Sequence, residues 1–236
     1  VEKVMVTLRS ANPDEQWCTR LRTRVAAGLS ELDLAGLTVN VRDAPVSASM
    51  MTLTTLDPPV SAVVSIWTQQ YYGAALRRAL ELLAAECQEF AAYLVTESVP
   101  MAGPEVAPSA RTPGLANIAL LRRPPDLDVA TWLQRWHIDH TPVAIATQST
   151  FGYTQNTVVR ALTPGAPPID AIVEELFPIE AVSDLHAFFG AADDADLGDR
   201  MAKMAASVAR FGADRNIDTV PTSRYVLWAP TLTLQP

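Results

Sequence analysis

Apolar side chains recur at helical spacing at Trp17, Cys18, Leu21 and Val25, and again at Trp132, Leu133 and Trp136, with His140 where the first stretch has Val25. Residues three and four apart share a helix face, so each stretch predicts an amphipathic helix with its stripe turned inward. A glycine followed by an alternating strand comes about twenty residues later in both, as Gly36-Leu37-Thr38-Val39-Asn40-Val41 and as Gly152-Tyr153-Thr154-Gln155-Asn156-Thr157. Two further strands follow, Ala62-Val63-Val64-Ser65-Ile66-Trp67 and Ala171-Ile172-Val173-Glu174-Glu175-Leu176. Each half then passes through helical sequence to a last strand carrying Val-Pro, at Val99-Pro100 and Val220-Pro221.

Counterparts lie 115 residues apart from Trp17 to Trp132, 116 from Gly36 to Gly152, 109 from Ala62 to Ala171 and 121 from Val99 to Val220. Short insertions explain that scatter, so the chain reads as one organisation used twice. With opening strands at 4–8 and 116–121, each half runs strand, helix, strand, strand, helix, strand, which is a ferredoxin-like order. A long helix is expected over 71–86, and one or two helices over 180–211, broken near Gly190 with a new start around Asp196. Residues 104–114 hold three prolines and no apolar period, and read as a linker between a module at 1–103 and another at 115–236. The tail 229–236 is expected to be extended. A four-stranded sheet with helices on one face leaves its other face to be covered, and two such sheets in one chain can cover each other. The expected class is therefore α+β.

Composition narrows the chemistry. A content of 49% hydrophobic and 19% charged residues supplies a core. The formal charge of −8 disfavours nucleic acid or an anionic membrane face as a partner. The opening residues carry no apolar signal core, and no uncharged run reaches the length of a bilayer span, so a cytoplasmic location and no membrane partner are expected. Cys18 and Cys87 stand alone, as small core residues rather than a disulfide framework or zinc site. No phosphate-binding glycine loop, nucleophile elbow or His-Glu-x-x-His is present, and Arg122-Arg123 is too small for an anion patch. The expected chemistry is cofactor-free.

The second half resembles the EthD family of the dimeric α/β-barrel superfamily. The resemblance rests on Trp132, Trp136 and His140-Thr141-Pro142 in the helix, Tyr153-Thr154-Gln155-Asn156 in the next strand, Asp170-Ala171-Ile172-Val173-Glu174 in the third, and Ile217-Asp218-Thr219-Val220-Pro221 in the last. It implies tandem ferredoxin-like modules packed as an intramolecular dimeric α/β barrel, the first half being a divergent copy. Since short relatives dimerise, a tandem chain could be a monomer, with further oligomerisation open. Where the second half has His140, Tyr153, Gln155 and Glu174, the first has Val25, Leu37, Val39 and Ser65, so the polar set occurs once.

The family resemblance implies a hydrophobic pocket and a small hydrophobic substrate, with dehydration, cyclisation, isomerisation or cofactor-free oxygenation as the reaction. On that reading His140, Tyr153 and Glu174 are the catalytic candidates. Trp132, Trp136, Phe151, Asn156, Gln155 and His137 are the substrate-binding candidates. The leading expectation is a lyase or isomerase acting on an aromatic or polyketide-like metabolite; a non-catalytic binding protein or a cofactor-free monooxygenase are the alternatives. Residue by residue, other readings stay open. His140 lies on an apolar stripe and is either a proton-transfer group, suited by an ordinary pKa near neutrality, or a packed core histidine. Pro142 is expected to end or bend its helix there. His137, one turn away, could share a ligand with it, but no third metal ligand is evident, and the surface is its other reading. Glu174 shares a strand face with Asp170 and is either an acid–base group or a salt-bridge partner of Arg160 or Arg224. Period two does not say which strand face looks into the barrel.

Overall fold

The computed structural model describes residues 1–11 and 13–230. Eight strands, β1 (Glu2–Arg9), β2 (Gly36–Val41), β3 (Val60–Thr68), β4 (Glu89–Met101), β5 (Leu115–Leu121), β6 (Gly152–Ala161), β7 (Ala171–Phe177) and β8 (Asp218–Trp228), form a closed antiparallel barrel in the order β1-β3-β2-β8-β5-β7-β6-β4. Within the first half β1 lies between β3 and β4, with β2 beyond β3; within the second, β5 lies between β7 and β8, with β6 beyond β7. The strand order is thus the same in both halves. Strands β2 and β4 would be the edges of one sheet, and β8 and β6 those of the other. Each edge pairs with one from the opposite half, which leaves no open row of backbone donors and acceptors.

The ladders correct one correspondence read from the sequence. Met5 of β1 faces Ser65 and Tyr93, while Ile118 of β5 faces Glu174 and Val220. With Ser65 in the place of Glu174, Val220 takes the place of Tyr93 rather than of Val99. The shared Val-Pro pair is a coincidence of composition, near the end of β4 and near the start of β8.

Helix α1 covers 15–30 and α3 covers 129–147. Each contains a π-helical segment, Leu21–Val25 in α1 and Gln134–His140 in α3. Asp14 and Asp128 cap them by accepting from Trp17 N–H and Thr131 N–H. Of the two outcomes expected at Pro142, an end or a bend, the end does not occur: α3 continues through Thr141–Thr147. The preceding π segment changes the hydrogen-bond register just ahead of the proline, and the Thr141 hydroxyl donates to the Trp136 carbonyl. Helix α2 is Ala74–Ala84, shorter than expected; α4 is Leu185–Phe189 and α5 is Asp194–Ala209. Gly190 ends α4 with φ +62°, a conformation that favours glycine. None of the described helices is long and apolar enough to cross a membrane.

Alternate residues on each strand face opposite ways, and both faces are covered. Met5, Val63, Tyr93, Ile118, Leu120, Ile172 and Val220 pack inside the barrel. Outside, Val4, Val6, Leu37, Val39 and Ile66 pack under α1 and α2, whereas Ala119, Leu121, Tyr153 and Val173 pack under α3 and α5.

The linker is tied down along β8, where Ser109 N–H and Thr112 N–H donate to the carbonyls of Val226 and Arg224. It ends at Gly114, with φ +96° and the Phe177 carbonyl oxygen 2.1 Å from where a Cβ would sit, so no larger residue fits. Of the tail, residues 231–236 lie outside the described part.

Residues 42–59 of the first half cross over the second. Met50 N–H donates to the Val182 carbonyl, Leu53 bridges to Thr219, and Asp218 accepts from the Thr55 N–H and hydroxyl while pairing with Arg122 at 2.8 Å. Burial alone would raise the Asp218 carboxyl; the Thr55 and Arg122 contacts outweigh it and hold it below the usual carboxylate range. Asp218→Asn removes the Arg122 ion pair, worth about 1.5–3 kcal/mol for a hydrogen bond to a charged group. Thermolysin is expected to cut within 44–58 several-fold faster in this variant; unchanged cleavage would show that the crossing is held elsewhere.

Candidate functional site

A cavity of about 190 Å³ lies between the outer face of the second-half sheet and helices α3 and α5. Roughly 150 Å³ of apolar cavity admits a benzene ring, so the space suits a single-ring molecule. Trp136, Phe188, Phe189 and Phe211 supply aromatic walls, and Met51 reaches in from the crossing segment of the first half.

The polar groups come from two places. On the sheet, Asn117, Glu175 and Tyr153 form a row across β5, β7 and β6, with Glu175 directly opposite both neighbours. From the helix side come His140, Trp136 and Gln148. The Glu175 carboxylate has neither a salt bridge nor a hydrogen bond among the described residues, and burial pushes its pKa up to about 7. Burial also raises the Tyr153 phenol, reinforced by the Glu175 carboxylate and opposed by contacts with Trp136, Gln155 and Thr141. Asn117 Oδ1, Gln148 Oε1 and Trp136 Nε1, on residues that line the cavity, are buried and have no hydrogen-bond partner among the described residues.

His140 is 7% exposed, its Nδ1 is 2.9 Å from Ser207 Oγ, and its ring lies 4.8 Å from that of Phe211. Burial lowers its pKa to about 4, which leaves it neutral at pH 7. Because the unfolded imidazole titrates near 6.5, His140 withdraws stability as the pH falls from 6.5 towards 4. Glu175, raised from 4.5 to about 7, acts in the opposite sense and withdraws stability as the pH rises through that window. The melting temperature of His140→Asn is therefore expected to rise relative to wild type on acidification from pH 6.5 to 4.5, and that of Glu175→Gln to fall. Parallel profiles for the three proteins would show that neither group titrates as its environment dictates.

Of the residues singled out in the sequence, His140, Tyr153 and Trp136 meet at the cavity. Glu174 does not join them. It lies on the inner face of β7, accepting from Asn40 Nδ2 at 3.0 Å and pairing with Arg224 at 2.9 Å. Asn156 also points into the barrel, and donates to the Ile172 carbonyl. Trp132 is buried behind Trp136 and donates to the Phe211 carbonyl; Gln155 donates to the Thr141 hydroxyl. His137 is half-buried, with its ring edge-on to Trp136 and its Nε2 3.4 Å from Thr157 Oγ1. Phe151 packs beside Gly114, outside the cavity lining. Among the described residues no group of three or more His, Cys, Asp or Glu side chains is placed to hold a metal ion.

Sequence reasoning missed Glu175 and Asn117. The signal was strand parity: position 175 corresponds to Ile66, a core position, so a carboxylate there has an apolar counterpart. The matching row of the first half is Val4, Ile66 and Leu37, each 0% exposed and closed against its helices.

The sequence matches no family model and no curated protein. Solved structures match by shape. An anthrone oxidase-like protein aligns over 96% of this chain and 92% of its own, at TM-score 0.56 and 10% identity. A chlorite dismutase-like protein aligns over 98% and 96%, at TM-score 0.50 and 13% identity. A monooxygenase-like protein from Lactobacillus acidophilus NCFM aligns over 94% and 92%, at TM-score 0.46 and 7% identity. The first two share the fold in which this chain closes its eight-stranded barrel.

Proposed function

We propose that the protein is a cofactor-free acid–base enzyme for a single-ring hydrophobic substrate bearing a carbonyl or enol oxygen, a lyase or isomerase of a catabolic pathway. The observation that carries this reading is the Asn117–Glu175–Tyr153 row facing a cavity where the other half has Val4–Ile66–Leu37. A carboxylate with a pKa of about 7 takes up or gives back a proton near neutrality. It is therefore the group that removes a proton from the carbon alpha to the substrate carbonyl. Tyr153 O–H, Trp136 N–H and the Asn117 amide hold that oxygen as charge develops on it. Neutral His140 orients the substrate or relays the proton, its Nδ1 engaged with Ser207. On this reading Glu175 takes the role that the family resemblance attaches to Glu174. The tandem reading belongs to the same proposal: two ferredoxin-like modules, the second EthD-like and the first a divergent copy serving as scaffold and wall, in a chain able to act as a monomer.

Dehydration, isomerisation and cofactor-free oxygenation can share the proton abstraction, so the test follows that step alone. Cyclic ketones with an acidic C–H are incubated with the protein in D2O, and exchange at that carbon is followed by proton NMR. Protein-dependent exchange, lost in Glu175→Gln, is the expected result. A ketone that binds without exchanging makes the protein a carrier. The name of the anthrone oxidase-like neighbour favours a second reading, in which the carbanion is consumed by dioxygen. Oxygen uptake stoichiometric with substrate would establish it.

A further inference from the structure

The barrel interior is apolar around Met5, Val63, Tyr93 and Ile118 and polar towards one mouth, where a second cavity of about 220 Å³ opens. It lies on the opposite side of the sheet from the Glu175 cavity. Two oppositely charged pairs stand in its walls, Lys3 with Glu97 and Arg224 with Glu174. Lys3 also lies over the Trp67 ring, 4.7 Å from its centroid. The pairs join four strands: Lys3 comes from β1 and Glu97 from β4 in the first half, and Glu174 from β7 and Arg224 from β8 in the second.

Three features show spare capacity for a ligand. Arg224 meets Glu174 through Nε at 2.9 Å, and among the described residues its terminal guanidinium nitrogens form no hydrogen bond. Thr38 and Ser65, each 3% exposed and facing one another across β2 and β3, form no side-chain hydrogen bond among the described residues although both line the cavity. A planar guanidinium with open terminal N–H groups matches a carboxylate. The four wall charges sum to zero, so a singly charged ligand would bring an unbalanced charge into a partly closed site, which is costly. A zwitterion brings none, and meets carboxylates as well as cations on the walls.

We propose that the polar mouth of the barrel binds a small zwitterion, an α-amino acid, with its carboxylate on Arg224, its ammonium between Glu97 and Glu174, and the Thr38 and Ser65 hydroxyls beside its polar atoms. The volume restricts the side chain to a small one. This site is independent of the acid–base cavity.

The test titrates the full chain with L-alanine in amide-resolved NMR, alongside L-lactate, which lacks the ammonium, and L-alaninamide, which lacks the carboxylate. Saturable shifts in the millimolar range, centred on 38, 65, 97, 174 and 224, are expected with L-alanine, at least about tenfold weaker with either analogue. Arg224→Gln should abolish them. Because that change strands Glu174, Thr38→Val serves as a second variant, in which a methyl group replaces the hydroxyl, and it should weaken alanine binding several-fold with the spectrum otherwise preserved. Absence of saturation, equal binding of lactate, shifts centred on Glu175, or binding unaffected by both variants would each overturn the proposal.

Discussion

Glu175→Gln is expected to lower proton exchange or turnover roughly 10²–10⁴-fold, the loss typical of removing a general acid or base. The same change should stabilise the protein above neutrality. Among the described residues the carboxylate has no cationic partner, and burial raises it from 4.5 to about 7. Above pH 7 that shift withdraws about 3 kcal/mol from the folded state, an upper figure since the group borders a cavity. Gln keeps the shape and never carries the charge. Activity lost while the melting temperature at pH 8 rises is the signature of a group held at a cost for its chemistry. Activity retained would remove Glu175 from the mechanism and leave His140 as the base.

Ile66→Glu places the same carboxylate at the corresponding position of the first half, with the opposite expectation for the fold. Ile66 is 0% exposed between Val4 and Leu37, packed against the apolar stripe of α1 and α2. Removing the aliphatic side chain and burying an unpaired carboxylate together cost on the order of 4–5 kcal/mol or more, a large part of the stability of an ordinary domain. Chemical denaturation is the measurement, and a midpoint close to wild type would mean that the two halves tolerate charge equally. The comparison separates a site built to hold a carboxylate from a strand face that merely resembles it.

The order of elements was legible because each is short-range in origin. Trp17 to Val25 and Trp132 to His140 carry helical periodicity, and residues 36–41 and 152–157 carry a glycine followed by alternation; these depend only on neighbouring residues. The break at Gly190 was legible for the same reason, since a left-handed residue ends a helix locally. Other features depend on partners far along the chain. The Val-Pro dipeptides suggested a register six residues away from the one that the ladders through Tyr93 and Val220 adopt, because register is decided by which faces pack. Pro142 read as a helix end or bend because a proline removes a donor, and the π turn before it let the helix continue.

The site divides along the same line. That the polar set belongs to the second half could be read from His140 and Tyr153 set against Val25 and Leu37. Which of two adjacent glutamates faces the cavity could not, because both faces of β7 are buried and a period of two is symmetric between them. Only closure of the barrel assigns Glu174 to the interior with Asn40 and Arg224, and Glu175 to the space beneath α3 and α5. The sequence by itself determined the elements, their order and the half that carries the polar residues. Tertiary structure decided strand register, the crossing of residues 42–59 over the other half and the carboxylate that meets the cavity. Local periodicity records that a residue is buried, whereas what it is buried against is settled by pairing between segments more than a hundred residues apart.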